Sequence, residues 1–201
     1  MKNGYFEQDH LNGYDSINEE IKIFQECKTI LDVGCGTGWF SNKLIEAYPE
    51  AEIFGTDIVD GRNFKNFNFI LSDIKSLPYN SSKFDGISCK AVIEHVNAPL
   101  NAIIELNRIL KEDGTLFISV PDVHDKNFWD DYTHIRPYTK NSLTTLLIDG
   151  GFDIQELWYI SSVPFVGLLM KLFNIKSNKI LKLFGRIGLF RSSINVIAQK
   201  K

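Results

Sequence analysis

Short apolar runs alternate with amphipathic stretches along most of this chain, and the two periods predict a succession of strands and helices. Thr29–Val33 is β-branched or aliphatic apart from Asp32 and is long enough for one buried parallel strand, while residues 39–48 read as a helix. Residues 51–57, 68–73, 83–89 and 115–120 read as four further strands. Residues 98–110 carry apolar side chains at 100, 103, 104, 106 and 110, an amphipathic helix that residues 111–114 bring to a stop. A helix over 139–149, a sixth strand over 150–159 and a last strand over 193–200 complete the pattern. Ahead of them lies a polar, aromatic-dotted lead, residues 1–27, in which 16–26 predict a helix with Asp15 and Ser16 as caps.

The chemistry gathers where the first strand gives way to the first helix, at Asp32-Val-Gly-Cys-Gly-Thr-Gly38. Glycines at such a turn remove the Cβ atoms that would hold a ligand off the backbone, and the helix N-terminus beyond offers unpaired N–H groups, so the stretch reads as a nucleotide-cofactor loop. Its spacing excludes a dinucleotide. A G-x-G-x-x-G fingerprint starting at Gly34 would end at position 39, which is Trp39. Asp32, two residues before the first glycine, repels a pyrophosphate but suits the ammonium of an amino-acid moiety. An acidic residue about 20 positions on is the ribose partner in doubly wound folds, and Asp57 stands 19 residues past Gly38, with Asp60 next in line.

With Asp32, Gly34, Gly36 and Gly38 so spaced, the stretch resembles motif I of the class I S-adenosylmethionine-dependent methyltransferases. The resemblance covers about residues 30–152 and the final strand. It implies an α/β, three-layer Rossmann-like fold with a seven-stranded, mostly parallel sheet whose last strand runs antiparallel between strands five and six. It also implies S-adenosylmethionine as cofactor and S-adenosylhomocysteine as product. Cys35 and Ile58 join the cofactor set by position. Asp73-Ile-Lys-Ser-Leu-Pro78 resembles the stretch that holds adenine, Asp73 taking the exocyclic amine and Ile74 offering an apolar face and a backbone N–H. Asp73 also suits a helix N-cap. Lys90-Ala-Val-Ile-Glu-His-Val96 resembles the Glu-His-Val element facing the reacting methyl, with Lys90 at the cofactor's edge. Residues 108–121 match the family closely and are architecture. Asp131 to Thr139 resembles its His-x-Arg-x-x-Thr stretch. The lead segment in this family often folds over the cofactor, which puts Tyr5 and Tyr14 beside it, unless they simply pack at the surface.

A sulfonium methyl is already activated, so such an enzyme must align the acceptor, exclude water and, for a hydroxyl, remove a proton. His95 is the first candidate base, since an imidazole titrates close to neutral pH. An architectural role for the Glu94-His95 pair competes with it. His134 is the second candidate, against hydrogen bonding within its loop. A divalent metal at Glu94 rests on one Glu-His pair, and none is expected.

Composition changes this picture in two places. A chain of 201 residues with 44% hydrophobic content favours one domain, and Cys27, Cys35 and Cys89 have neither metal nor redox spacing, as in a reducing cytosol. No signal segment is visible, so Asn80-Ser-Ser82 reads as an unmodified turn. All 25 acidic residues lie at or before Glu156; the eight basic ones after it give the tail +8 and leave −11 for the rest of the net −3. Residues 163–191 read as two basic amphipathic helices inserted before the last strand. The uncharged run 157–170 has 14 residues against about 20 needed to span a bilayer. The insert therefore suits an anionic membrane surface at the inner face, a cap on the pocket, or a subunit interface. An acidic main body and the lack of an Asn/Asp-Pro-Pro-Tyr signature disfavour nucleic acid. The expected acceptor is a small molecule, a quinone-like lipid or a lipid-linked sugar, methylated at oxygen. A non-catalytic S-adenosylmethionine-binding regulatory or scaffold protein is the alternative.

Overall fold

The computed structural model describes residues 14–125, 127–161 and 191–201. Residues 163–190 of the expected helical insert and Tyr5 lie outside them, as does the side chain of Tyr14, while Arg191, the insert's expected last residue, opens the final strand. In chain order the elements are α1 (Tyr14–Lys22), β1 (Thr29–Val33), α2 (Trp39–Ala47), β2 (Glu52–Asp57), β3 (Asn68–Leu71), β4 (Phe84–Lys90), α3 (Pro99–Ile109), β5 (Leu110–Pro121), α4 (Lys140–Asp149), β6 (Phe152–Ser161) and β7 (Arg191–Lys200). They form one seven-stranded sheet in the order β3-β2-β1-β4-β5-β7-β6. Only β7 is antiparallel to its neighbours. This is the expected three-layer fold.

Alternation along the strands fills both faces. Leu31, Val33, Ile87, Leu116 and Ile118 pack with Ile103 and Leu106 of α3 and Leu143 and Leu147 of α4. Ile30, Ile53 and Phe117 point the other way, to Ile21 of α1, Phe24 in the turn after it, and Phe40 and Leu44 of α2. Each fully buried side chain of this size contributes about 1.5–3 kcal/mol. The starting ends of the central strands are tied by Asp85, whose Oδ2 accepts from the Thr29 N–H at 2.9 Å and the Thr29 hydroxyl at 2.8 Å. Its Oδ1 accepts from Lys111 Nζ at 2.7 Å.

Several boundaries shift from expectation, β6 to Phe152–Ser161 and the start of β7 to Arg191 among them. Asp15 and Ser16 lie inside α1, which stops at Lys22 before a series of turns. β3 ends at Leu71, whose register partner Asp57 is the last residue of β2, and the Ser72 N–H closes that ladder on the Asp57 carbonyl at 2.9 Å. β5 begins directly after α3 and includes 111–114, since Leu110 pairs with Phe84 and the ladder absorbs the slack as a bulge, with Asp113 at φ 59°. As expected, residue 139 starts the next helix: Thr139 caps α4, its Oγ1 accepting from the Ser142 N–H at 3.1 Å while Ser142 Oγ accepts from the Thr139 N–H at 2.9 Å. Among the described residues no helix is long and apolar enough to cross a membrane.

Candidate functional site

Strand order reverses between β1 and β4, and ligands of such sheets bind outside the carboxyl ends at that point. The loop after β1 is the glycine turn, with Gly34, Gly36 and Gly38 at φ 70°, 52° and 79°. These are left-handed conformations that favour glycine. A Cβ on Gly34 would overlap Val92 Cγ2 from the loop after β4, whereas one on Gly36 would meet nothing within 4 Å. Gly36 therefore faces an open cradle. Its N–H donates to Asp57 Oδ2 at 2.9 Å, and Asp57 Oδ1 accepts from the Val59 N–H at 3.2 Å. Each carboxylate oxygen keeps a further lone pair for a hydroxyl. Ile58, next along, is 71% exposed, an apolar face presented at the crevice.

Asp32 is buried and accepts from Ser41 Oγ at 2.7 Å. Burial pushes its carboxyl up to about 6, against the pull of the Ser41 hydroxyl and the Lys90 ammonium. A cation brought to Asp32 therefore meets an acid that gains by ionising. Cys35 is buried, and burial pushes its thiol up to about 12. It lines the turn without reactive character. Asp73 is half exposed and accepts from the Lys75 N–H at 2.9 Å, while Ile74 is buried beneath it. Lys90 ends β4, and its ammonium pairs with Glu20 of α1 and lies 4.5 Å from the Phe40 ring. Glu20 carried no distinguishing signal in the sequence, being one of two adjacent acids on an amphipathic helix.

The second half of the crevice joins two loops that are distant in sequence. A single 3-10 turn, Ile93–His95, follows β4. The backbone N–H groups of Ile135 and Arg136 donate to the Glu94 carbonyl at 3.0 and 3.2 Å, clamping the loop after β5 onto that turn. His95 and His134 thereby meet with ring centroids 4.6 Å apart. His134 Nδ1 lies 2.6 Å from the Phe128 carbonyl oxygen, which can only accept, so this nitrogen carries the proton. His95 Nδ1 lies 3.0 Å from Thr133 Oγ1, whose own proton goes to Asp131 Oδ1 at 2.6 Å. That hydroxyl must accept from His95. Both rings are thus held as the tautomer with a lone pair on Nε2. Glu94 is fully buried, neither carboxylate oxygen has a hydrogen-bond partner among the described residues, and burial pushes its carboxyl up to about 8. Burial holds His95 below the usual imidazole range. Trp129, Tyr132 and Ile135, on the same loop, are exposed by 67%, 92% and 52%.

The sequence profile of the methyltransferase-domain family matches residues 9–157. The chain belongs to this family. As a methyltransferase domain it uses S-adenosylmethionine, and the open cradle at Gly36, the paired acceptors of Asp57 and the buried acid Asp32 fit that molecule's chemistry. A malonyl-[acyl-carrier protein] O-methyltransferase of Halalkalibacterium halodurans is 30% identical over 106 residues, 47% of this chain and 39% of that protein. A tRNA U34 carboxymethyltransferase of Campylobacter concisus is 34% identical over 101 residues, 45% of this chain and 35% of its own length. The methyltransferase domain here thus spans well under two thirds of these curated relatives. A SAM-dependent methyltransferase from Archaeoglobus fulgidus shares the fold with a TM-score of 0.70 at 21% identity, over 99% of this chain and 100% of its own.

Proposed function

We propose that this methyltransferase domain methylates an oxygen of an amphiphilic acceptor, a small molecule or lipid with an apolar body and an ionisable or hydroxylic head. The observation that carries the reading is the pair of imidazoles at the carboxyl end of β4, each fixed through Nδ1 so that Nε2 is free to accept a proton. Exposed Trp129, Tyr132 and Ile135 give the same loop an apolar rim for the acceptor's body. A relative that methylates an oxygen of a malonyl group on a carrier supports the same class of head group.

Bound S-adenosylmethionine supplies a methyl already activated on sulfur. The chain's residues hold and orient: Asp32 takes the ammonium, Asp57 the ribose hydroxyls, Ile58 an apolar face of the adenosine, and Asp73 with Ile74 the adenine edge. The glycine turn lets the backbone approach, and Lys90, held by Glu20, keeps positive charge at the rim of the cradle. On the acceptor side, His95 takes the proton of the reacting oxygen at Nε2, with His134 tilted against it at a centroid distance of 4.6 Å as the alternative acceptor. A well-placed base of this kind contributes about 10²–10⁴ in rate.

The test is S-adenosylhomocysteine release against hydroxylic and carboxylic amphiphiles, quinols and acyl thioesters, for wild type, His95→Ala and His134→Ala. The reading predicts that His95→Ala lowers kcat/KM by about 10²–10⁴ while S-adenosylmethionine affinity holds. Full turnover in both variants would remove the imidazoles from the chemistry.

A further inference from the structure

We infer that Glu94, His95 and His134 form a binding site for a divalent first-row cation of the zinc type, held between the turn after β4 and the loop after β5. One donor atom from each of the three lies within 4.8 Å of the others. Binding such an ion at bond lengths of about 2.0–2.2 Å needs these atoms to close to roughly 3.4 Å. Two imidazole nitrogens and one carboxylate are the ligand set of a catalytic zinc or a facial-triad ion, in which one or more positions stay open.

Proximity alone would not make a site, and two independent features do. The first is Glu94, an acid with 0% exposure whose two oxygens find no donor among the described residues. A buried acid without a partner forfeits the hydrogen bonds it would make to water, and a cation beside its ionised form offsets that loss. The second is the support behind the imidazoles. Ligating histidines donate their other ring N–H to a carbonyl or carboxylate, which fixes the tautomer and raises basicity. His134 donates to the Phe128 carbonyl, and His95 donates to Thr133 Oγ1, which is itself anchored on Asp131. Both arrangements leave Nε2 as the donor. Asp131 Oδ2, 4.0 Å from His134 Nε2, adds negative charge at the rim.

This inference deepens the oxygen-acceptor reading: an ion at this site would bind the acceptor oxygen and acidify it, a service otherwise left to the imidazoles. It replaces the expectation that Glu94 and His95 alone are too few for a metal, because His134 arrives from 39 residues away. Cation binding itself is measured without cofactor or acceptor. Full-length protein stripped with chelator is titrated with Co²⁺ and followed by visible absorption, then by displacement with Zn²⁺. The expected result is a band that saturates at one equivalent, with Glu94→Gln and His134→Ala each weakening Co²⁺ at least about tenfold. Thr133→Val keeps all three ligands and is expected to weaken it by about 10–100-fold. His124→Ala, which removes an exposed imidazole elsewhere, leaves the titration unchanged. Retained S-adenosylmethionine affinity reports that each variant is folded. No saturating one-equivalent band in wild type, or an unaltered titration in folded Glu94→Gln and Thr133→Val, overturns the site. Absent Co²⁺ binding with His95-dependent turnover rejects the cation and leaves the base reading standing. Stoichiometric binding without oxygen methylation supports the cation and rejects the acceptor reading.

Discussion

Gly34 and Val92 interlock: the place a Cβ would take on Gly34 is filled by Val92 Cγ2, so the glycine turn and the loop bearing Glu94 and His95 touch directly. Gly36, two residues on, faces open space. The two glycines should therefore fail differently. Gly34→Ala strains φ and pushes the two loops apart, lowering stability by about 2–4 kcal/mol. Gly36→Ala strains φ alone, about 1 kcal/mol, yet fills the cradle and should weaken S-adenosylmethionine at least about tenfold. Urea unfolding and calorimetric titration check both. Equal loss of stability with retained binding in Gly36→Ala would place the cofactor elsewhere.

Asp32 makes the protein's stability depend on pH. Its carboxyl has an ordinary value of 3.8 and is pushed up to about 6 by burial. Between these values the unfolded chain has released the proton and the folded chain still holds it, so stability falls as pH rises from about 4 to about 6. The cost is of order 3 kcal/mol. An ammonium beside the ionised acid recovers it, so S-adenosylmethionine affinity should rise as pH passes through about 6. Asp32→Asn should flatten both dependences, raise the apo-protein's Tm at pH 7 and weaken the cofactor. Thermal unfolding from pH 4 to 8 reads the first, and an unchanged slope in Asp32→Asn would assign the effect to another group.

In the proposed cofactor arrangement Asp57 serves the loop and the ligand together. Asp57→Ala frees the Gly36 N–H that it holds at 2.9 Å and removes the ribose acceptors. A charge-assisted hydrogen bond contributes about 1.5–3 kcal/mol, so affinity should fall about tenfold or more while Asp57→Asn keeps part of it. Calorimetry on the three proteins checks the order.

Glu20 links α1 to the rim of the cradle. Its side chain is 8% exposed and that of Lys90 27%, placing the pair between exposed and buried ion pairs. Glu20→Ala should lower stability by about 1–3 kcal/mol, and Glu20→Ala with Lys90→Met should recover part of that loss. A fully additive double variant would mean the two residues do not interact.

Much of the fold was legible because local rules agreed with one another. The Thr29–Val33 run, the glycines at alternate positions and Asp57 at the expected interval all belong to one βαβ unit, where a residue's partners are near in sequence. The glycine turn and its contact with Asp57 were readable for that reason. The acceptor side was readable only as single residues. His95 and His134 each stood out, but nothing local says that Ile135 and Arg136 hydrogen-bond the Glu94 carbonyl, that Glu94 is buried with no donor among the described residues, or that Thr133 and Phe128 fix the two rings. Lys90 was read as a cofactor residue from its position, and its pairing with Glu20, 70 residues away, is a product of tertiary packing.

The most direct test of the account is the fate of an isotope-labelled methyl group. Wild-type protein is incubated with S-adenosylmethionine carrying ¹³C in its sulfonium methyl and with quinol, hydroxyl and carboxyl amphiphiles, and the products are read by NMR. The account predicts label on an acceptor oxygen, with one S-adenosylhomocysteine formed per methyl moved, and loss of that signal in His95→Ala. Tight cofactor binding with no transfer to any of these acceptors, or label on an acceptor oxygen that persists in His95→Ala, would contradict it.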